Sequence, residues 1–189
     1  FFMKVILFAI TLFLTGCAST NGLAVFSFSN AEVQSLLTKQ MPNLTENVNL
    51  MGLPVQLNVN DVSVNIGPDN RDVISLGLDT GAEINAFAFK YPVRLPFQIE
   101  GSPYYDSEQK AVFLRNLNLL DSSVEAGSYK GNLKPLNNEV MNLLNAFLAV
   151  NPVYKLDMNN PKVALLSKVP LDMKVVEGAV QLVPRNWNN

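Results

Sequence analysis

No histidine occurs in the 189 residues, and there is one cysteine. The first absence removes the Ser-His-Asp triad, the Cys-His dyad and every imidazole metal ligand. The second removes intramolecular disulfides and thiolate metal clusters, so no metal or other cofactor is expected. Charge is sparse: 14 Lys and Arg stand against 16 Asp and Glu, a net charge of −2. The basic residues are scattered, and their pairings with aromatics, such as Tyr129-Lys130, are isolated. A surface that tracks nucleic-acid phosphates needs them clustered, which excludes nucleic acid as a partner. Repeats and low-complexity tracts are missing, and no apolar run approaches the roughly 20 residues of a membrane-spanning helix.

What is present begins at the N-terminus. Lys4 precedes an apolar stretch over residues 5–14, interrupted only by Thr11. As a helix it would rise about 15 Å, half the ~30 Å hydrocarbon thickness, so it reads as the apolar region of an export signal. Met3 is the expected initiator. Leu14-Thr15-Gly16-Cys17 follows and matches the lipobox of bacterial lipoproteins. The small residues at 15 and 16 let an extended backbone enter a peptidase, and the thiol accepts diacylglycerol. The expected layout is a signal peptide over 1–16, a lipidated Cys17 with a short tether over 17–24, and one folded domain over 25–189. Ala18 stands where an Asp would retain a lipoprotein in the inner membrane. That implies the outer membrane, with the protein anchored in its periplasm-facing inner leaflet by acyl chains such as palmitate. A domain of this length buries enough surface to be stable without disulfides.

Ser29-Asn30-Ala31-Glu32 fits the Ser-x-x-Glu capping box, Val33, Leu36, Leu37 and Met41 recur at helical spacing, and Pro42 stops the run. This predicts a helix over 30–41. Just before it, Val25-Phe26-Ser27-Phe28 alternates like a short strand. From Leu53 the period falls to two. Leu53, Val55, Leu57 and Val59 keep one parity and Val62, Val64 and Ile66 the other, which predicts a β-bulge near Asn60-Asp61. Gly67-Pro68-Asp69-Asn70-Arg71 is a turn, and Ile74, Leu76 and Leu78 open the next strand. Val93, Leu95, Phe97 and Ile99 form another, whose Pro92 and Pro96 favour an edge or a bulged position. A turn is expected from Gly101-Ser102-Pro103 to Lys110, then a strand over 111–125. Leu136, Val140, Leu143, Leu144, Phe147 and Leu148 return to helical spacing, with Pro135 in the first turn and Asn151-Pro152 at the end. A shorter helix over 162–168 and a strand pair around Glu177-Gly178 follow. The expected class is α+β: a curved antiparallel sheet wrapped around one long apolar helix, with a short N-terminal helix.

No catalytic residue is assigned. Ser107-Glu108-Gln109-Lys110 matches the Ser-x-x-Lys of serine acylases, but that chemistry wants the serine at a helix start, and this stretch lies in a predicted turn. Asp69-Asn70-Arg71-Asp72 lacks the spacing and the distal Glu of a calcium loop. No spacing among the acids singles out a carboxylate pair. The apolar side chains are the informative remainder. Phe87, Phe89, Phe97, Phe113, Met141 and Phe147 are the candidates to line the space between sheet and helix, where aromatics and flexible Met suit a lipid ligand. The competing reading is that they fill a dry core.

Glu32-Val33 with Ser35-Leu36, Gly52-Leu53-Pro54, Ala111-Val112-Phe113-Leu114 running to Asp121, and Pro152-Val153-Tyr154 occur in that order behind the lipobox. Over roughly residues 12–183 the chain thereby resembles the YceB-like family of Gram-negative lipoproteins, a domain of unknown function. The resemblance implies a long helix wrapped by a curved sheet, similar to one module of the tubular lipid-binding proteins, and it supplies no catalytic residues. The expected function is non-enzymatic: an outer-membrane lipoprotein that binds or shields a lipid or acyl chain at the periplasmic side. The alternative is a structural or adaptor lipoprotein with a packed core, docking on a protein partner the sequence does not name. A hydrolase using carboxylates is a third reading.

Overall fold

The computed structural model describes residues 26–41, 46–50, 53–86, 89–132 and 137–185. The signal peptide, Cys17 and the tether lie outside them, as does Phe87.

β1 (Phe26–Ser29) leads directly into α1 (Asn30–Gln40). The capping box forms as the sequence predicts: the Ser29 backbone N–H and hydroxyl both donate to Glu32 Oε2, at 2.8 and 2.9 Å. Val33 and Leu37 are the buried face of this helix. Next come β2 (Glu46–Leu50), β3 (Leu53–Ile66), β4 (Ile74–Ala86), β5 (Phe89–Asp106), β6 (Ala111–Ala126) and β7 (Tyr129–Asn132), which pair in sequence order as an antiparallel meander. α2 (Asn137–Val150) packs against β6 and buries Leu144 and Leu148. β8 (Tyr154–Lys155) then adds to β6. α3 (Pro161–Leu166) is capped by Asn160, whose Oδ1 accepts the Lys162 N–H at 3.0 Å. β9 (Leu171–Val176) and β10 (Ala179–Pro184) close a hairpin around Glu177-Gly178. β1 pairs with β10, so a second sheet of three strands stands beside the seven-stranded one. The class is α+β, mostly antiparallel strand with a few helices.

Between β3 and β4 the register slips from Val59↔Thr80 to Asp61↔Asp79, leaving Asn60 as the extra residue. The apolar parity changes at the same place, and the two facts are one. The bulge returns Val62, Val64 and Ile66 to the core face that Val59 already occupies.

One expectation resolves to one of its two options, and another needs correction. β5 is not an edge strand despite Pro92 and Pro96; it is bonded to β4 on one side and β6 on the other. Pro92 pairs with Glu83 of β4 and lies past Arg94↔Glu125, the last pair with β6, so no donor is needed there. Farther along, β5 takes the bulged option, with register slips between Gln98 and Ile99 and between Glu100 and Ser102. Nor does the chain turn at Gly101: β5 runs on to Asp106, and the turn occupies residues 107–110. A Cβ on Gly101 would stand 2.7 Å from Leu117 Cδ2 and 3.3 Å from the Arg115 carbonyl oxygen. The glycine is there so that β6 can close on a bulge, not to reverse the chain.

Three hydrogen bonds join α1, the end of β3 and the β9–β10 turn. Asn30 Oδ1 accepts the Ile66 N–H at 2.8 Å, the Gly178 N–H donates to the Ile66 carbonyl at 2.8 Å, and the Asn30 N–H donates to the Gly178 carbonyl at 3.2 Å.

Candidate functional site

β4 and β5 pair as Leu76↔Ile99, Leu78↔Phe97, Thr80↔Leu95 and Ala82↔Val93. Because side chains alternate along a strand, these pairs share one face. The rows extend onto β3 through Val64, Val62 and Val59 and onto β6 through Leu119 and Ser122. α2 adds Leu144 and Leu148, both buried, and Met141, Leu143 and Phe147, half-buried, to the same apolar cluster. The result is a seam between helix and sheet. Burial along it is uneven. Ile66, Ile74, Ile99 and Val112 are 0% exposed, whereas Val59, Val64, Val93, Leu119, Val124, Met141 and Phe147 are only half-buried. Small side chains, Thr80, Ala82 and Ser122, are set among the large ones in these rows.

Of the six side chains expected to line the seam, Phe97, Met141 and Phe147 belong to this cluster. Phe113 does not. β6 alternates regularly here, so Val112 and Leu114 face the cluster while Phe113 turns to the other side and stacks on Tyr104, ring centroids 5.7 Å apart. The guanidinium of Arg115 lies 5.4 Å over that Tyr104 ring. Phe113 is buried, but strand parity and not hydrophobicity decides which surface it serves. Phe89 opens β5, its backbone opposite Ala86, and Phe87 lies outside the described residues. Sequence reasoning placed Val59, Val93 and Leu95 in alternating strands without taking them as lining, and it missed Thr80 and Ala82. The signal for the last two was the alternation of Ile74, Leu76 and Leu78, extended along β4.

The opposite face of the sheet is charged. Arg94 Nε and Nη2 donate to the two carboxylate oxygens of Asp79, both at 2.7 Å, and Nη1 lies 3.5 Å from Glu125. Lys130 meets Glu125 at 2.8 Å, Lys90 meets Glu83 at 2.7 Å, and Arg71 meets Glu100 at 2.7 Å. Hydrogen bonding to Arg94 holds the Asp79 carboxyl below the usual carboxylate range, and Lys130, seconded by Arg94, does the same for Glu125. Such exposed pairs add little stability one by one. Asp79 and Glu125 each face a cation and not another carboxylate.

The remaining motifs lie in turns. Lys110 sits in the β5–β6 turn and commits its ammonium to the Ser167 carbonyl at 2.9 Å. Asp69 and Asn70 take positive φ values, 55° and 57°, as turn residues. Among the described residues no three of His, Cys, Asp and Glu gather as a metal-binding group.

Residues 28–179 match a family described as "Protein of unknown function (DUF1439)". A protein of Salmonella typhimurium, named "Uncharacterized lipoprotein YceB", is 22% identical over 181 residues, covering 94% of this chain and 97% of its own. Proteins of the same name from Escherichia coli K12 and Shigella flexneri are each 20% identical over 156 residues, covering 82% of this chain and 83% of their own. Among solved structures, the crystal structure of lipopolysaccharide binding protein aligns with a TM-score of 0.34 at 14% identity. It covers 84% of this chain, which spans only 39% of that protein, and a likeness so slight bears on neither fold nor ligand.

Proposed function

The chain belongs to this family of unknown function, together with the YceB lipoproteins, and on that premise we propose that it is a lipid-anchored, non-enzymatic protein whose seam between α2 and the main sheet holds an acyl chain. The anchor is Cys17, and the site of action is the inner leaflet of the outer membrane, facing the periplasm. The long strands, bent at the three register slips, curl about α2 in this reading.

The observation that carries the proposal is the incomplete burial of the seam. A dry core gains most by covering every apolar side chain, yet Val59, Val93, Val124, Met141 and Phe147 stay half-buried beside the small Thr80, Ala82 and Ser122. An acyl chain laid there would complete their cover, each methylene contributing about 0.8 kcal/mol. Flexible Met141 and the rim of Phe147 suit a chain of variable length.

Two tests follow. Replacing Cys17 with serine should abolish acylation, so the intact mass of the protein loses its acyl groups and the protein no longer floats with membranes. A wild-type mature chain that lacks acyl mass, or begins at another residue, would end the anchor reading. For the seam, the wild-type protein should release lipid on organic extraction and take up isotope-labelled palmitate. Ala82 is 5% exposed on the inner face. Ala82→Trp should fill a roomy seam and remove palmitate uptake while the melting curve stays in place. In a dry core the same change overpacks, at about 1–3 kcal/mol, with no uptake to lose. Ala146 is exposed on α2, so Ala146→Trp should alter neither readout. No extracted lipid, no palmitate uptake and a destabilised Ala82→Trp would together replace this reading with the packed-core adaptor.

A further inference from the structure

α3 has two unlike faces. Val163 is 5% exposed and packs with Leu156 and Leu182, flanked by Phe26, Leu171 and Met173. Leu165, on the other side, is 67% exposed, Val169 just beyond the helix 44%, and Met158 just before it 42%. The charges around them are basic: Lys155, Lys162 and Lys168 are exposed, against one acid, Asp157, in the same stretch of a chain whose net charge is −2. The next acid, Asp172, is neutralised by Arg185 at 2.8 Å.

The position of this face matters as much as its composition. Phe26 pairs with Leu182, and Leu182 with Met173. The chain therefore enters the fold across β10 from Met173, near the start of β9, and in the cluster that holds α3. Cys17 precedes Phe26 by nine positions (26 − 17 = 9), which span at most about 30 Å fully extended. An anchor at Cys17 keeps α3 close to the lipid surface.

We propose that the segment over 155–169 is the surface by which the domain rests on the bilayer, Met158, Leu165 and Val169 entering the headgroup layer while Lys155, Lys162 and Lys168 meet anionic phospholipid. This is how interfacial elements bind: short apolar side chains at the boundary and snorkelling lysines around them. The inference rests on acylation at Cys17 and is independent of what the seam holds.

The acylated full chain carrying Leu165→Cys has one free thiol, because the native cysteine is consumed by lipid. Labelled with an environment-sensitive fluorophore and incorporated in phosphatidylethanolamine–phosphatidylglycerol vesicles, it should lose quenching by acrylamide. The same label at Tyr129→Cys, an exposed residue at the start of β7, should stay fully quenched. Lys162→Glu with Lys168→Glu, or vesicles of phosphatidylcholine alone, should restore quenching at 165. Equal quenching at the two sites on protein that floats with the vesicles overturns this inference and leaves the anchor intact. Failure to float overturns the anchor and this inference together. Protection that tracks dimerisation in sedimentation would give the face to a second copy and likewise overturn it.

Discussion

Leu144→Asp should cost the domain more than about 4 kcal/mol and lower Tm by at least ~8 °C, or prevent folding outright. Leu144 is 4% exposed on α2 and belongs to the central apolar cluster. The substitution removes a buried isobutyl group and puts a carboxylate into that apolar cluster. A charge without a partner in such a place is costlier than the cavity alone. Burial raises the new carboxyl's pKa in the folded chain and leaves it ordinary in the unfolded one. Between those two values the unfolded state binds fewer protons, so the loss is full above the raised pKa, shrinks as the pH falls from it toward the usual carboxylate range, and keeps only its cavity part below that range. Asn142 is exposed on the same helix, and Asn142→Asp should change stability by no more than about 0.5 kcal/mol. Thermal melts of the two variants at neutral and acidic pH decide it. Equal tolerance would make α2 a peripheral helix and remove one wall of the seam.

Much of this architecture was written in local pattern. The capping box at Ser29–Glu32, the parity flip at Asn60 and the Glu177-Gly178 hairpin each depend on residues a few positions apart, and each forms where the pattern puts it. What stayed hidden depends on partners far along the chain. Nothing in Phe26-Ser27-Phe28 says that β1 will pair with β10, more than 150 residues later. The prolines of β5 point to an edge only if each one would break a ladder bond, and Pro92 avoids this because β6 has already ended beside it.

The seam was legible in the same uneven way. Phe97, Met141 and Phe147 were visible as bulky apolar residues on amphipathic elements, and they do share one cluster. Phe113 lies in the unbroken apolar run 111–114, where no polar residue reveals which side faces inward; only pairing with Tyr104 shows it. Val59, Thr80 and Ala82 were easily overlooked because a lining residue need not be large. The exposed face of α3 was missed for another reason. A helix of six residues is too short for its apolar period to stand out, and its outward Leu165 looks like core until Val163 is seen to take that place.

Gly67→Ala should be the most damaging of the glycine substitutions, at about 3 kcal/mol, two separate costs being added at one site. The first is conformational. Gly67 sits at φ 64°, ψ 38°, a left-handed conformation that costs an ordinary L-residue about 1–2 kcal/mol. The second is contact. A Cβ there would stand 2.6 Å from the Val176 carbonyl oxygen and 2.9 Å from its carbon. Both atoms are backbone, so no rotamer change relieves the overlap. Relief requires the β9–β10 turn to move off β3, which stretches the 2.8 Å bond from the Gly178 N–H to the Ile66 carbonyl and loosens the joint between the two sheets. Gly127 separates the two costs. It has nearly the same φ, 59°, with nothing within 4 Å of its Cβ position, so Gly127→Ala should bear the conformational cost alone. Denaturant melts should therefore rank wild type above Gly127→Ala and Gly127→Ala above Gly67→Ala. Hydrogen exchange at the Gly178 amide should accelerate only in the last. If the two variants melt together, the close approach of the small sheet to β3 contributes nothing, and the joint is not where these sheets are held.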